Sequence, residues 1–452
     1  MTAIADFADF IAQRRSLPDA TRQAVGLHVV DTIGALVAGT CAAEGRALLR
    51  LREQASSADE LSVEVMALCA LTRMTEIDDI HLASMTTPGS IVIPGALAIA
   101  ARQPRHDAGA LIEAIVAGYE AMIRLGLALD GPTILYRGIW PTYFAAPFGI
   151  AAVTSRLLGL DAAQTSHALA LALTYAAPGV GHHNAPTTAR WISAGQAARS
   201  GLAAAQVVQA GFTVDVALLD GGFFPGIYSI TPNIPAFTGG LGKRDLLAEL
   251  SFKPWCAARQ TMAATQALKE IIAEGVAPDS IVAVKASVVP PHRRMIDHGV
   301  TPGDRASYLT SVQYNMAVAA LAPQLADALS PSPEALPDDV HTLMRKITVE
   351  PDDTLLAGYP RTWPAHVVVT TASGTHEKRV AAVPGDPARP FNADDVAVKF
   401  RRFVAPILGA DGADALLKIA SGVASGDQSP AALLSELDKV ALTPSAAAIH
   451  PR

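Results

Sequence analysis

Apolar residues recur at helical spacing through most of this 452-residue chain. Proline and glycine punctuate the pattern at the points where one helix ends and the next begins. The pattern predicts helices over residues 3–14, 20–38, 44–74, 91–101, 108–129, 141–159, 163–177, 191–211, 305–328 and 392–420. The chain is therefore predicted to be mainly α-helical, with a loosely structured tail after about residue 424.

A different pattern begins after about residue 278. The segments 281–289, 346–352 and 365–383 alternate and are rich in β-branched residues, which is typical of strands. The last segment predicts a hairpin around Ser373 and Gly374. We therefore expect two domains, a large all-helical one formed by 1–274 and 391–452, and a smaller α+β domain formed by 275–390.

Composition narrows the classes of function. Half of the residues are hydrophobic and the formal net charge is −7, with no basic run, so a nucleic-acid partner is not expected. Three cysteines without a CxxC spacing argue against a disulfide framework or a structural zinc site. The apolar stretches are too short or too interrupted to cross a bilayer, and the N-terminus lacks a signal-peptide pattern. We expect a soluble cytoplasmic protein that does not bind membranes.

The residues 74–101, MTEIDDIHLASMTTPGSIVIPGALAIAA, carry the clearest candidate chemistry. The stretch begins acidic, passes His81 and a Pro-Gly turn, and continues as an apolar helix. Ser90 and the turn are expected to cap that helix, whose first N–H groups can meet an anion. An acidic loop followed by an ordinary capped helix is the alternative interpretation.

This stretch resembles the MmgE/PrpD family, which contains 2-methylcitrate dehydratases, cis-aconitate decarboxylases and iminodisuccinate epimerases. Acidic-x-Asp-Asp-x-His, a Pro-Gly turn and a Pro-Gly-Ala-Leu-Ala helix carry the resemblance. Further segments that resemble the family follow in the same order, and the resemblance covers about residues 5–420. They are Asp31-Thr32-Ile33-Gly34, the Gly-x-x-Pro-Thr turn at 138–142, the segment 190–195, Phe-Lys-Pro-Trp-Cys at 252–256 with Arg259, and the Ser311-x-x-Tyr314 helix.

The resemblance implies a large helical domain, a smaller α+β lid domain, and a homodimer whose active site lies between the two domains. It also implies a reaction without metal or other cofactor, which begins with removal of a proton next to a carboxylate of a small organic acid. Such a reaction needs donors that hold the carboxylate, a base, and a group that stabilises the enolate-like charge.

The resemblance and these chemical needs together indicate the candidate site residues. The candidate catalytic residues are Lys253, Tyr314, His81 and His182. The candidate substrate-binding residues are Arg190, Arg259, Asp78, Asp79, Thr87, Trp140, Ser193 and His183. Asp78 and Asp79 are expected to orient His81 or a cation. The cationic stretch from His292 to His298 is predicted to be a solvated basic face, and contact with an anionic substrate through closure of the small domain is the alternative.

The sequence also departs from the family. Thr87, Trp140, Ser193 and Met262 stand where the family usually has histidine, and Arg190 stands where it has lysine. These changes remove acid–base groups, so a substrate other than methylcitrate or cis-aconitate is expected. A cofactor-independent lyase is the leading hypothesis. An epimerase or racemase of the same fold, and a catalytically silent binding protein, are the alternatives.

Overall fold

The computed structural model describes residues 1–13, 16–57, 59–104, 107–177, 188–327 and 336–442. These residues are mainly α-helical, as the sequence predicts. They form two compact units. The first draws on Met1–Gly181, Thr188–Leu250 and Asn392–Arg452, and the second on Ser251–Phe391.

The helices and strands are numbered in chain order. The helices are α1 (Ala3–Ala12), α2 (Asp19–Gly39), α3 (Ala43–Glu53), α4 (Glu60–Arg73), α5 (Gly89–Ala100), α6 (Ala108–Ala128), α7 (Gly131–Leu135), α8 (Pro141–Leu158), α9 (Ala162–Thr174), α10 (Ala189–Gln209), α11 (Phe223–Tyr228), α12 (Ile234–Thr238), α13 (Arg259–Ala273), α14 (Pro290–Ile296), α15 (Arg305–Thr310), α16 (Val312–Leu321), α17 (Asp338–Arg345), α18 (Ala393–Ser425) and α19 (Pro430–Leu442). The strands are β1 (Ile80–His81), β2 (Leu250–Ser251), β3 (Ile281–Val288), β4 (Ile347–Pro351), β5 (Ala365–Thr371) and β6 (Gly374–Val380).

Close helix packing organises the first unit. Helix α10 packs against α4 and α8, and α8 packs in turn against α6. These helices approach each other closely because glycines lie at their contacts. A Cβ added at Gly201 would lie 2.2 Å from the carbonyl oxygen of Pro147, and one at Gly195 would lie 2.0 Å from that of Met66. Side chains at these positions would push apart the helices that carry candidate site residues.

Helix α18 returns the chain to the first unit, as the sequence predicts. Its start is fixed by a capping box in which Asn392 and Asp395 satisfy each other's backbone amides. Lys399 of this helix lies 2.6 Å from a carboxylate oxygen of Asp31 on α2, so Asp31 is a paired core residue. The prediction of a loose tail after about 424 is wrong over 430–442, because α19 forms there and buries Leu433.

The second unit contains a four-stranded mixed sheet with the order β4-β3-β5-β6. Strands β3 and β4 are parallel, whereas β3–β5 and β5–β6 are antiparallel. Thr371 pairs with Gly374 at the end of the β5–β6 ladder, which confirms the predicted hairpin. Val367 and Val369 of β5 are fully buried, because alternate side chains of a strand share one face.

Two details differ from the predicted organisation of this unit. The observed unit begins at Ser251 rather than at residue 275, because α13 packs against β5, β6 and α16. The predicted helix over 305–328 is interrupted at Ser311. The backbone of Ser311 is extended (φ −74°, ψ 116°), and its side chain accepts a hydrogen bond from the amide of Tyr314 and so caps α16.

Within the described residues, no single helix has both the length and the apolar character needed to cross a membrane. Helices α2 and α3 pass such a test only as a pair, across a bend of 92°.

Candidate active site

Helix α8 starts at a proline that follows a tryptophan. Trp140 occupies the N-cap position without a side-chain capping bond, and Pro141 is the first helical residue. Proline suits this position because its fixed φ matches the helix and its missing N–H costs no hydrogen bond. The turn therefore places Trp140, Thr142 and Tyr143 together at a helix N-terminus, where backbone dipoles favour negative charge.

Thr87 joins this start of α8 to the loop before α5. Its amide donates to the hydroxyl oxygen of Thr142 at 3.0 Å, and the two hydroxyl oxygens are 3.1 Å apart. The motif around Thr87 and the motif around Trp140 therefore meet in space, as expected of parts of one site. A threonine at position 87 supplies a neutral hydroxyl rather than a group that titrates near neutral pH.

Asp79 holds the N-terminus of α5 and is fully buried. It accepts hydrogen bonds from the Tyr119 hydroxyl at 2.7 Å and from the Gly89 amide at 2.8 Å, and Nδ1 of His28 lies 2.9 Å away. Burial raises the pKa of Asp79, but the contacts with His28, Tyr119 and Gly89 outweigh burial and hold it below its usual value. Asp79 thus orients the Pro88-Gly89 turn.

The predicted cap of α5 is wrong. Ser90 lies within the first turn, and its hydroxyl donates to the carbonyl oxygen of Thr87 at 3.0 Å. Asp79 takes the capping role from outside the helix. A Cβ at Gly89 would come within 2.7 Å of both Asp79 carboxylate oxygens, so only glycine allows this carboxylate to approach the helix start.

Asp78 does not share the contacts of its neighbour Asp79 and pairs with a different side chain. Its carboxylate lies 3.1 Å from Nη1 of Arg73, and Glu76 lies 2.7 Å from Nη2 of the same arginine. Burial lowers the pKa of Arg73, but these two carboxylates outweigh burial and raise it above its usual value. Asp78 is therefore paired with a buried cation, Arg73.

Arg190 lies on aromatic faces. Its guanidinium carbon is 5.7 Å from the ring centre of Trp140 and 5.9 Å from that of Trp191. The residue is only 3% exposed, although it belongs to the first turn of α10. A buried arginine over aromatic rings keeps its charge and its planar donor fork, which suits a carboxylate.

Tyr143 completes this group of side chains. Its ring stacks on that of Trp140 with centroids 5.6 Å apart and an interplanar angle of 11°. Burial raises the pKa of Tyr143 to about 12, although the positive charges of Arg73 and Arg190 act in the opposite direction. The hydroxyl is therefore neutral near pH 7 and acts as a hydrogen-bond or proton donor.

Two buried donors of this group have no hydrogen-bond partner among the residues that the structure describes. They are the Tyr143 hydroxyl and the indole N–H of Trp140, on side chains that are 2% and 8% exposed. Buried polar groups are nearly always satisfied, so such donors make this position a candidate for ligand binding. We call Trp140, Tyr143 and Arg190 together the aromatic–arginine cluster.

His81 pairs with Thr86 through a backbone bridge, and both of its ring nitrogens are engaged. Nδ1 is 2.9 Å from the Ser84 hydroxyl, and Nε2 is 3.4 Å from the Glu249 carboxylate. Burial lowers the pKa of His81, and Glu249 opposes this effect. Burial likewise raises the pKa of Glu249, but hydrogen bonds with His81 and Arg244 outweigh it and lower the value to about 2.

The remaining candidate residues of the first unit give less support for a binding site. The Ser193 hydroxyl donates to the carbonyl oxygen of Ala189 at 2.9 Å, one turn back along α10. Such a bond satisfies the hydroxyl within its own helix. His182 and His183 lie outside the described residues.

In the second unit, Lys253 and Tyr314 are both buried, and Lys253 is only 1% exposed. The rings of Tyr314 and Tyr308 meet edge to face with centroids 5.0 Å apart. Burial raises the pKa of Tyr314 above its usual value, and Tyr308 and Cys256 add to the shift. Tyr314 is therefore neutral and can donate a proton or a hydrogen bond.

Arg259 and His292 form a second buried group in this unit. Arg259 donates to an Asp386 carboxylate oxygen at 2.6 Å, and its guanidinium carbon lies 5.8 Å from the ring centre of Trp363. His292 packs on the same indole with centroids 4.7 Å apart. Burial, with a smaller effect of Arg259, lowers the pKa of His292 to about 3.

The predicted solvated basic face is thus wrong for His292, which is 2% exposed. Helix α14 turns this histidine inward, while the neighbouring Arg293 and Arg294 are exposed. Residues two apart on a helix point to different sides, so one short segment has both a buried and a solvated face.

Comparison with known proteins agrees with this organisation. Residues 3–231 match the MmgE/PrpD N-terminal domain, and residues 255–424 match the MmgE/PrpD C-terminal domain. The chain belongs to the MmgE/PrpD family. A search of curated proteins found no match.

The MmgE/PrpD N-terminal match spans the whole aromatic–arginine cluster, and the C-terminal match includes Tyr314, Arg259 and His292. Within the described parts of this MmgE/PrpD chain, no group of three or more His, Cys, Asp or Glu side chains could hold a metal ion.

Three contributors to the MmgE/PrpD site were not identified from the sequence. Tyr143 follows Trp140 by three residues, which places both on one helix face, so this spacing was an available signal. Arg73 ends an apolar helix just before the acidic stretch, where a buried cation could have been expected. His28 gave only the weak signal of a single histidine in an apolar helix.

The buried His292 makes stability pH-dependent. The unfolded chain protonates this histidine below about pH 6.5, whereas the folded chain resists protonation down to about pH 3. The contribution to stability is therefore full above pH 6.5 and falls as the pH is lowered towards 3. We expect wild type to lose up to about 1.4 kcal/mol per pH unit more than His292→Leu in this range.

Urea unfolding at several pH values measures this difference. The charge of Arg259 acts on His292, and Asp386 is the ion-pair partner of Arg259. Wild type and His292→Leu both keep these two residues, so their contribution cancels. Parallel pH profiles for wild type and His292→Leu would contradict the prediction.

Proposed function

We propose that this chain is a lyase that removes a proton from the carbon next to a carboxylate of a small organic acid, without help from a metal or coenzyme. Membership of a family of generally dehydratase-type lyases supports the reaction class. The observation that carries the proposal is the aromatic–arginine cluster, in which two buried donors without a partner in the described parts of the chain lie with a buried cation.

Arg190 is proposed to hold the substrate carboxylate. A guanidinium forms two parallel N–H bonds with a carboxylate and remains charged at all physiological pH values. The faces of Trp140 and Trp191 fix its plane and make the surroundings apolar. We therefore propose a substrate that is less highly charged than the tricarboxylate methylcitrate, with an apolar or planar part.

Tyr143 is proposed to act as the acid. Removal of a proton next to a carboxylate places additional negative charge on the carboxylate oxygens, and a fixed neutral donor stabilises that charge. With a pKa of about 12, the hydroxyl is protonated before the reaction. It can then donate to the developing enolate or give its proton to a departing hydroxide.

Lys253 is proposed as the base and Tyr314 as a second donor. A lysine amine can serve as a base, whereas an arginine guanidinium cannot. Lys253 is nearly inaccessible to solvent, and Tyr314 is neutral and buried in the same unit. His81 is a less favoured base because Ser84 and Glu249 already engage its nitrogens.

Epimerisation is the second candidate function. It needs one group that removes a proton and another that returns a proton to the opposite face. Tyr143, whose pKa burial raises to about 12, can return the proton, and in this reaction it does not have to assist a leaving group. This reaction conserves all atoms of the substrate.

Incubation with a panel of hydroxy, amino and unsaturated carboxylic acids distinguishes the candidates. New ultraviolet absorbance from an alkene identifies elimination, release of carbon dioxide identifies decarboxylation, and loss of optical rotation without new absorbance identifies epimerisation. The lyase proposal is overturned if no acid is eliminated or decarboxylated. Binding without any turnover would favour a silent binding protein.

Arg190→Lys tests the anion-binding role. We expect KM to rise about 10-fold to 100-fold with little change in kcat, because lysine keeps the charge but loses the planar fork. Arg199→Lys on the same helix is the matched control. Although lysine is usual at position 190 in the family, activity equal to or above wild type would contradict the role given to Arg190.

A further inference from the structure

We infer that Arg259, His292 and Trp363 form a buried binding site for a small carboxylate in the second unit, with His292 as a ligand-binding residue. This site would bind its anion whether or not the chain catalyses the reaction proposed above. The three side chains lie together, and buried polar atoms of Arg259 and His292 have no partner among the residues that the structure describes.

The first observation concerns donors on Arg259. Its Nη2 donates to Asp386, which also accepts from the Val383 amide at 2.8 Å. Nε and Nη1 of Arg259 have no hydrogen-bond partner in the described parts of the chain, although the residue is 2% exposed. Asp386 therefore fixes the guanidinium while two of its nitrogens remain available to an acceptor.

The second observation is independent and concerns His292. Its Nε2 is buried and likewise lacks a partner among the described residues. A neutral imidazole carries one N–H donor, and which nitrogen holds it adapts to the bound group. A buried nitrogen of this kind lowers the stability of the fold unless a ligand or water satisfies it.

Trp363 brings these groups together. Its indole N–H donates to the carbonyl oxygen of Pro360 at 2.9 Å, which fixes the ring plane. His292 packs at 4.7 Å from the ring centre and the Arg259 guanidinium carbon lies at 5.8 Å, so both flank one aromatic ring. The indole is 1% exposed, which keeps the surroundings dry.

The chemistry of this cluster selects a carboxylate. A planar anion with two acceptor oxygens matches N–H donors from a guanidinium and an imidazole, and a flat aromatic wall suits a planar group. The charge of Arg259 is already balanced by Asp386, so a singly charged group is favoured over a phosphate dianion. The bound group is either a carboxylate of the substrate or that of a separate effector.

Calorimetric titration with acetate and malonate at constant ionic strength tests the site. We expect wild type to bind at least one of them with a Kd of about 1 mM or tighter, and His292→Leu to bind about 10-fold to 100-fold more weakly. His292→Gln, which keeps an N–H donor, should recover part of the affinity. The exposed Arg294→Gln is the charge control and should match wild type.

Unfolding curves of each variant show whether a loss of binding is due to a loss of the folded state. Competitive inhibition of turnover by the same anion would identify a substrate carboxylate, and non-competitive inhibition or activation would identify an effector. Both results support the site. It is overturned if wild type binds neither acid, or if His292→Leu binds as tightly as wild type. Neither of these results bears on Arg190, Tyr143 or Lys253.

Discussion

Replacement of Lys253 by arginine is expected to lower kcat by about 100-fold to 10,000-fold, the range that a positioned acid or base contributes. Arginine retains the positive charge but does not deprotonate, so it can bind an anion and cannot remove a proton. KM should therefore change far less than kcat. Steady-state kinetics on the substrate found in the panel measures both constants.

Two further variants make the result on Lys253 specific. Lys253→Met removes charge and base together, so it should lower kcat at least as much and also raise KM. Lys243→Ala, at an exposed lysine of the first unit, should behave as wild type. If Lys253→Arg retains most of its kcat, the base is another residue, and the mechanism proposed for Lys253 is wrong.

Tyr143→Phe should change activity and stability in opposite directions. Loss of the hydroxyl removes the proposed acid, so kcat/KM should fall by about 100-fold to 10,000-fold. The same change removes a buried hydroxyl that has no partner in the described structure, so the free energy of unfolding should rise by up to about 1 kcal/mol.

Tyr119→Phe provides the matched comparison. Its hydroxyl donates to Asp79 at 2.7 Å, so its loss should lower the free energy of unfolding by about 1–3 kcal/mol. Urea unfolding of the two variants should therefore give changes of opposite sign. If Tyr143→Phe is destabilised like Tyr119→Phe, the Tyr143 hydroxyl serves the fold rather than a ligand.

Local patterns were sufficient to predict most of the elements. Alanine-rich apolar periodicity, with Pro18 and Pro141 near helix starts and Gly159 after a helix end, predicted helices that the structure contains. The β-branched alternation of 365–371 similarly predicted β5 and its hairpin. Each of these patterns spans only a few residues, so a single segment of the sequence is enough to recognise it.

Partners that come from distant segments could not be predicted in the same way. The sequence identified Asp79 as a candidate, but its role depends on His28 and Tyr119, which belong to two other helices. The boundary of the second unit was misplaced for the same reason. The sequence of helix α13 resembles that of the neighbouring helices. Only its packing against β5 and β6 assigns it to the second unit.

His292 illustrates a different difficulty. Its sequence neighbours Arg293 and Arg294 suggested a solvated basic face, because a run of cations is usually exposed. The short helix α14 instead directs His292 against Trp363, some seventy residues later in the chain. The composition of a cationic run indicates the average exposure of its residues. Packing, however, buries or exposes each side chain separately.

The departures from the family have a physical interpretation in the structure. Thr87 and Thr142 share hydroxyl contacts at two neighbouring helix starts, and Trp140 supplies a flat wall for Arg190. Neutral hydroxyl and indole donors thus stand at positions where titrating imidazoles are usual. We expect the reaction to depend less on pH near neutrality than one that relies on several histidines.

Deuterium incorporation tests the central claim most directly. Each acid of the panel is incubated with wild type, Lys253→Arg and Tyr143→Phe in deuterated water after treatment with a chelator, and proton NMR follows the C–H next to the carboxylate. We predict deuterium in recovered substrate or product with wild type, and at least about 100-fold slower incorporation with both variants. Wild-type turnover that leaves this C–H bond untouched, or incorporation at equal rates in all three proteins, would contradict the proposed chemistry.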